Sequence, residues 1–542
     1  MASILPITGV LGKRRAAHLL RRVTFGITPA LVADYATKTA AQAMSALMVA
    51  DTSTDKPLGF TGVSFTESAE TAALATPSKL NNLISVRHFW LNKFRTGNTG
   101  FWKMVLFWNN HFAIATDGAY RYNLAHKYYL LLQKHALGNF RQFIIEMTKD
   151  PLMLFWLNGR ENLKGLDNIP SNENYARELQ ELFTIGAAQP DGTPNYFESD
   201  VREAARVLTG WQVLNGSGSV ANLGATFTLS RHDTDNKQFS SKYGSKLITG
   251  RNTNTAGDEE LAELVDMILA QPACAKFICR KIYEWFVGTG ITTDIETNVI
   301  GPMATTFQTG NFEIRPVIVQ LLSSDHFYED CIEGAIIKHP LDFVMNMLRL
   351  SEMPFPDPTT QFRPAYDFTN VAIKSPADDL QMSIIDHDTV FGWDAYYQTE
   401  KYKLWMSANA ITRRNAQVDR MLAGIKVTGF TGSFDSIALT EKLFAAVGYT
   451  FNNKSFPDST DTLLADKIIE GYCFYCYPKA CTAAYQTELK NVLLLDRTVD
   501  EIGYWFEWKY YKDGVAGAEN GLRTKLNNAV KFFWKSAEFQ LV

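Results

Sequence analysis

The residues here best suited to chemistry are a row of carboxylates, two exposed-context imidazoles and a cysteine cluster. "SNENYARELQELFTIG" (171–186) carries Glu173, Glu178 and Glu181. Asn174, Glu178 and Glu181 follow i, i+4, i+7 spacing, which places them on one row of a helix. Tyr175, Leu179, Leu182, Phe183 and Gly186 form the apolar stripe beside it, with Ser171 as the expected N-cap. Glu178 therefore sits at the border of buried ground. Two carboxylates at this spacing repel unless a cation, a metal or a retained proton intervenes. The plainer reading is a scaffold helix laced by Glu173–Arg177 and Arg177–Glu181 pairs, each worth about 0.3–0.5 kcal/mol. It accounts for Glu173 and Arg177 but leaves Glu178 unexplained, so a salt-bridge network and a functional site both stay open.

The imidazoles are the natural complement. His18, His88, His126 and His135 fall on helices among apolar neighbours and read as satisfied structural histidines. His111 ends "LFWNNHF", where a helix gives out; His232 and Asp233 stand in "LSRHDTD", after a strand-like run. Polar residues at element ends are better placed for chemistry. Imidazole with carboxylate suits a divalent metal or a general acid–base pair. The expected site has Glu178, Glu181, His232 and Asp233 as catalytic groups. His111, Glu178 and His232 would hold a divalent metal, if the chemistry uses one, and Asn174, Trp211 and Trp393 would contact substrate. The expected sign of this site is a carboxylate of the acidic row within a few Å of His111 or His232; the counter-expectation is Arg177 or Arg206 neutralising both carboxylates. No H-E-x-x-H, G-x-S-x-G, Walker or Rossmann motif occurs.

"CFYCYPKAC" brings Cys473, Cys476 and Cys481 together, with Cys274, Cys279 and Cys331 elsewhere. No second C-x-x-C and no nearby histidine completes a zinc site. Buried or incidental thiols, a disulfide and a metal remain the alternatives, in that order.

The elements that must position these groups are helical. Apolar periodicity of helical type runs through 13–26, 81–97, 101–112, most of 125–150 and much of 256–350, then resumes after 401. Gly26, Gly97, Gly138, Gly186, Gly210 and Gly288 mark helix ends. Residues 222–257 alternate briefly and are rich in Gly, Ser, Asn and Thr, which predicts a small β insertion near 222–250. The expected fold is mainly α: a helical domain over 1–350 with that insertion, an irregular Pro- and aromatic-rich segment over 351–400, and a helical part over 401–542. In the first helix Leu19, Leu20, Val23 and Phe25 should be buried, with Arg21 and Arg22 near the surface or paired with acids.

The 542 residues are 46% hydrophobic and 20% charged, enough for a large core, and 13% are aromatic. A formal net charge of -4 supplies no general attraction to nucleic acid. No run reaches the roughly 20 apolar residues of a membrane span. "MASILPITGV" is too short and lacks the basic start of a secretory signal, so a cytoplasmic location is expected unless an export signal has been removed.

The ordered series "AAHLLRRVTFG", "FWLNKFRTG", "KMVLFWNNHF", "NENYARELQELFTIG", "DVREAARVLTGW", "RHD", "ACAKFICRKIYEWFV" and "IIKHPLDFVMNMLRL" resembles the bacterial domain-of-unknown-function 1800 family. The likeness covers about 12–350 and echoes to about 415. It implies that His111, His135, Glu173, Glu178, Glu181, Trp211, His232 and Asp233 match recurring positions. Relatives carry Trp-His-Asn-His-Phe where this chain reads Trp108-Asn109-Asn110-His111-Phe112, so a metal site using both histidines would lose a ligand here. Around Trp393 relatives tend toward a Pro- and Gly-rich version of "FGWDAYYQTEKY". Two functions follow as expectations. One is a metal- or acid–base-dependent enzyme, hydrolytic or oxidative. The other is a non-catalytic protein that uses 351–400 and "YYQTEKY" to grip a small molecule, a glycan or a protein.

Overall fold

The computed structural model describes residues 2–59, 62–68, 76–116, 121–164, 171–397, 401–495 and 499–542. Its helices start where polar side chains can take up free N–H groups. Thr39 and Gln42 form a reciprocal capping box. Asp150 accepts from the Leu152 and Met153 N–H groups, both at 3.0 Å, ahead of a helix with Pro151 at its first position. His339 Nδ1 accepts from Asp342 N–H at 3.0 Å and caps Pro340–Leu350.

The fold is mainly α. Among the described residues strands form only three antiparallel pairs: Trp211–Leu214 with Gly224–Phe227, Lys237–Gln238 with Leu247–Ile248, and Ile425–Val427 with Phe430–Gly432. The first two build the expected insertion. The third was not anticipated, because strands this short show no alternation; its turn uses Gly429 at φ +82°. Residues 351–400 also hold more helix than their prolines suggest. Phe362–Thr369 and Ser375–Asp379 are helical and joined by a π-helical turn over Asn370–Lys374; Pro364 lies in the first turn, where a missing N–H leaves nothing unpaired, and Pro376 follows directly on the π-turn. Of "YYQTEKY", residues 398–400 lie outside the described residues.

One continuous apolar cluster runs from Ala2 to Phe539. Leu19, Leu20 and Val23 are fully buried within it and Phe25 is 1% exposed. Arg21 and Arg22 depart from expectation: both are buried, and among the described residues neither pairs with an acid. Arg21 donates to the Phe474 carbonyl, and Arg22 Nη1 to the carbonyls of Phe286 at 3.0 Å and Val287 at 3.1 Å. A guanidinium carries five donors, so it can terminate distant chain segments that a helix period cannot reveal. Gly97 and Gly138, unlike Gly26, Gly186, Gly210 and Gly288, do not take positive φ.

The helix Phe101–His111 buries every residue except Asn110. Its one lysine, Lys103, bonds Asp342 and approaches His339 Nε2 at 3.1 Å. Far along the chain, residues 540–542 lie antiparallel to 336–338: Lys338 N–H donates to the Gln540 carbonyl at 2.7 Å and Val542 N–H to that of Ile336 at 2.8 Å.

Leu20→Ala should lower unfolding free energy by about 2–5 kcal/mol, since it opens a cavity in ground with no solvent contact. Urea denaturation checks this; an unchanged midpoint would contradict the placement of this helix.

Candidate functional site

The acidic helix spans Asn174–Glu181. Ser171 does not cap it. Instead Asn172 Oδ1 accepts the Asn174 N–H at 3.0 Å, and Asn172 is itself held by Asn162 Oδ1 at 3.0 Å. Tyr175, Leu179 and Phe183 are buried as the stripe requires, while Leu182 is only half-buried. Gln180 is buried too, because its amide bonds Ala176 O and Tyr243 Oη.

Arg177 leaves the acidic row. It pairs with Glu173 at 3.3 Å and with Glu198, and makes no bond to Glu181. Glu181 is oriented by Tyr196, whose hydroxyl donates to it at 2.8 Å. Glu178 is half-buried and receives no hydrogen bond or ion pair among the described residues. Burial and then the neighbouring Glu181 push its carboxyl up to about 7, against a weaker pull from Arg177. Among the described residues no ion pair offsets this repulsion at Glu178. Asn174 is exposed at the start of the row.

His111 reaches this helix through backbone. Its Nε2 donates to the Phe183 carbonyl at 3.0 Å, and the Phe183 N–H donates to the Glu178 carbonyl at 3.0 Å. Because a carbonyl only accepts, the proton is on Nε2 and Nδ1 is a buried acceptor without a partner. Burial and then Lys281 hold His111 well below the ordinary histidine value, so it is neutral.

His232 and Asp233 are drawn elsewhere. His232 Nε2 lies 3.3 Å from Glu260, whose other oxygen takes Lys237 at 2.6 Å; all three side chains are fully buried. Burial alone would raise the Glu260 carboxyl, but His232 and Lys237 hold it below the ordinary value. Asp233 is clasped by Arg206 at 2.7 and 3.3 Å. The expected metal set is therefore not assembled. His111, Glu178 and His232 have separate partners, and among the described residues no three His, Cys, Asp or Glu side chains converge to hold a metal ion. The cysteines are free thiols, with Cys274, Cys279, Cys473 and Cys476 buried, and burial pushes the Cys274 thiol up.

Trp211 is buried against Phe227, ring centroids 5.5 Å apart. Trp393 is also buried and ties the "GW" segment to "WNNHF": its N–H donates to Asn110 Oδ1 at 2.8 Å, and its indole N–H to the Ser383 carbonyl at 2.8 Å. Gly392 at φ +86° is needed there, since a Cβ would collide with Asn110.

Other groups were missed. Lys281 and Glu284, on the helix Pro272–Phe286, have no hydrogen bond or ion pair among the described residues. Lys281 lies over the Phe277 ring at 5.0 Å. Glu284 lines a cavity of about 350 Å³ with Tyr396, Tyr402, Trp405 and residues 335–337. The signal was present in "KIYEWF", where two charges interrupt an apolar run, but nothing local said that they border a cavity. His88 is not the satisfied core histidine expected. It borders a second cavity, of about 530 Å³, and both its ring nitrogens are buried without a partner.

The family model for a protein of unknown function (DUF1800) matches residues 18–541, so the chain belongs to that family. No curated protein and no solved structure matches it. Among the described residues no helix is long and apolar enough to cross a membrane.

Glu260→Ala should cost about 3–5 kcal/mol in urea denaturation, because it strands a buried lysine; a loss under about 1 kcal/mol would mean that the His232–Glu260–Lys237 cluster is not structural. Glu178 makes a prediction of opposite sign. Between 4.5 and about 7 the folded protein holds a proton that the unfolded chain has released, so this carboxyl lowers stability as pH rises through that window. Glu178→Gln should therefore gain on the wild type from pH 4.5 to 7 and keep a constant lead above; a lead independent of pH would remove the retained proton.

Proposed function

We propose that the protein is an acid–base enzyme of the hydrolytic kind, with Glu178 as the group that donates and accepts the proton. The observation that carries this reading is the uncompensated carboxyl pair. Glu178 and Glu181 share one row, Arg177 is committed to Glu173 and Glu198, and no cation reaches Glu178 among the described residues. A carboxyl poised near neutrality exchanges protons with the smallest penalty in either direction. Glu181, fixed by Tyr196, would keep Glu178 protonated in the resting state and stabilise positive charge that develops on substrate. His111 and the Phe183 peptide would hold the helix at its C-terminal end. His232 and Asp233 have structural parts in this scheme, and no step is routed through a metal.

The alternative, a binding protein, is favoured by a different observation: the two cavities are walled by residues 355–369 and 395–405, within and just beyond the segment expected to grip a partner.

A panel of p-nitrophenyl esters, phosphates and glycosides, run with wild type and Glu178→Gln, separates the readings. At least one substrate should be turned over by the wild type, with a loss of about 10²–10⁴-fold in the variant and a wild-type rate that falls as pH rises through about 7. Equal rates for both proteins across the panel would overturn the enzymatic reading.

A further inference from the structure

The cavity beside Glu284 has a composition that the acid–base reading does not use. Tyr396 and Trp405 stand at 76° with ring centroids 5.3 Å apart, so they form two walls of a corner. Trp285 backs Tyr396 at 4.8 Å and holds that wall in place. Tyr402 adds a third ring and the Glu284 carboxyl a fourth side. The remaining lining is almost wholly apolar, Ala335, Ile336, Ile337, Ala395 and Gly288, with Thr289 as the other polar residue.

Each property selects against other ligands. An anion would face Glu284. A sugar needs many hydrogen-bond partners, and the side chains of this lining supply few: Glu284, Thr289, the Tyr396 and Tyr402 hydroxyls and the Trp405 indole N–H. A neutral apolar molecule would leave the carboxyl unpaired in a half-enclosed space. An organic cation satisfies all of it: aromatic faces carry negative potential, three aromatic rings line the cavity, and the carboxylate supplies the counter-charge. Lys281 and Arg280 are near enough to pull on the Glu284 carboxyl, but among the described residues neither forms an ion pair with it. Lys281 lies on Phe277, and Arg280 is held by Glu296 at 2.6 and 2.9 Å.

We infer that the cavity enclosed by Glu284, Tyr396, Tyr402 and Trp405 is a binding site for a small quaternary or tertiary ammonium compound. The volume of about 350 Å³ accommodates a trimethylammonium group with a short substituent. The site stands apart from the acidic helix and does not depend on the role of Glu178.

Isothermal titration of the full chain with choline tests this, with two uncharged comparators: 3,3-dimethylbutan-1-ol, which has choline's shape without its charge, and methyl α-glucoside. Choline should bind, and the alcohol and the glucoside should each bind at least tenfold more weakly. Glu284→Gln, whose fold is checked by circular dichroism, should weaken choline at least tenfold, and Trp405→Phe should weaken it by a smaller factor. Glu178→Gln should leave choline binding unchanged, which keeps this site separable from the proposed catalytic one. No heat with choline up to 20 mM, as a rough ceiling for a specific site, would overturn the proposal. So would equal binding of choline and the alcohol, tighter binding of the glucoside, or choline binding indifferent to Glu284→Gln.

Discussion

A helix with no solvent face must find a partner inside the protein for every polar atom it carries, and much of this architecture follows from how Phe101–His111 meets that demand. Lys103 is answered by Asp342 at the start of Pro340–Leu350, which fixes that helix against it. Asn110 takes the backbone of Trp393, His111 the backbone of Phe183, and the Trp108 indole the Ala136 carbonyl at 3.0 Å. Regions separated by up to 283 residues in sequence are thereby tied to one short segment. Asn109 is the exception: it is fully buried, and among the described residues its amide finds no well-formed hydrogen bond beyond an approach to Tyr128. It occupies the position where the resemblance leads one to expect a histidine.

This arrangement also places both candidate sites. Phe107, on the same helix, packs against Trp285 at 5.6 Å, and Trp285 supports the aromatic corner. His111 holds the end of the acidic segment on an adjoining side. The two sites thus share a rigid support while being assembled from different helices. Their carboxyls also differ in surroundings. Glu178 is raised by burial and by a second carboxyl, Glu284 by burial against the opposing pull of Lys281 and Arg280. Both carboxyls are raised, but Glu178 has a like charge beside it, whereas Glu284 has two cations nearby.

The helical elements were legible in the sequence because their periods are local, and so were the apolar stripe and the isolation of Glu178. The partners were not. Glu260 lies 28 residues from His232 and Glu198 lies 21 from Arg177, and no spacing rule connects such positions. His232 beside Asp233 looked like an acid–base pair because they are adjacent in sequence. In the fold, successive residues turn toward different neighbours, one to Glu260 and the other to Arg206. Arg21 and Arg22 read as surface residues by charge alone, yet both end buried on carbonyl groups. The aromatic corner was hidden for a simpler reason. Its walls come from residues 284, 335–337 and 396–405, which meet only in three dimensions.

The pairing of residues 336–338 with 540–542 bears on the order in which the molecule can be completed. Ile336 and Ile337, which line the cavity, have their backbone on one side bonded only by a segment roughly two hundred residues later, and Lys338 is held there by the Phe539 carbonyl at 2.6 Å. A chain synthesised at about 5–20 residues per second must carry that edge unpaired for on the order of 10–40 s after it emerges. The acidic helix needs no such late arrival, since Asn162, Arg177, Glu198 and Tyr196 come from within forty residues of one another. The two sites therefore mature at different times, the aromatic corner only after residues 540–542 have emerged.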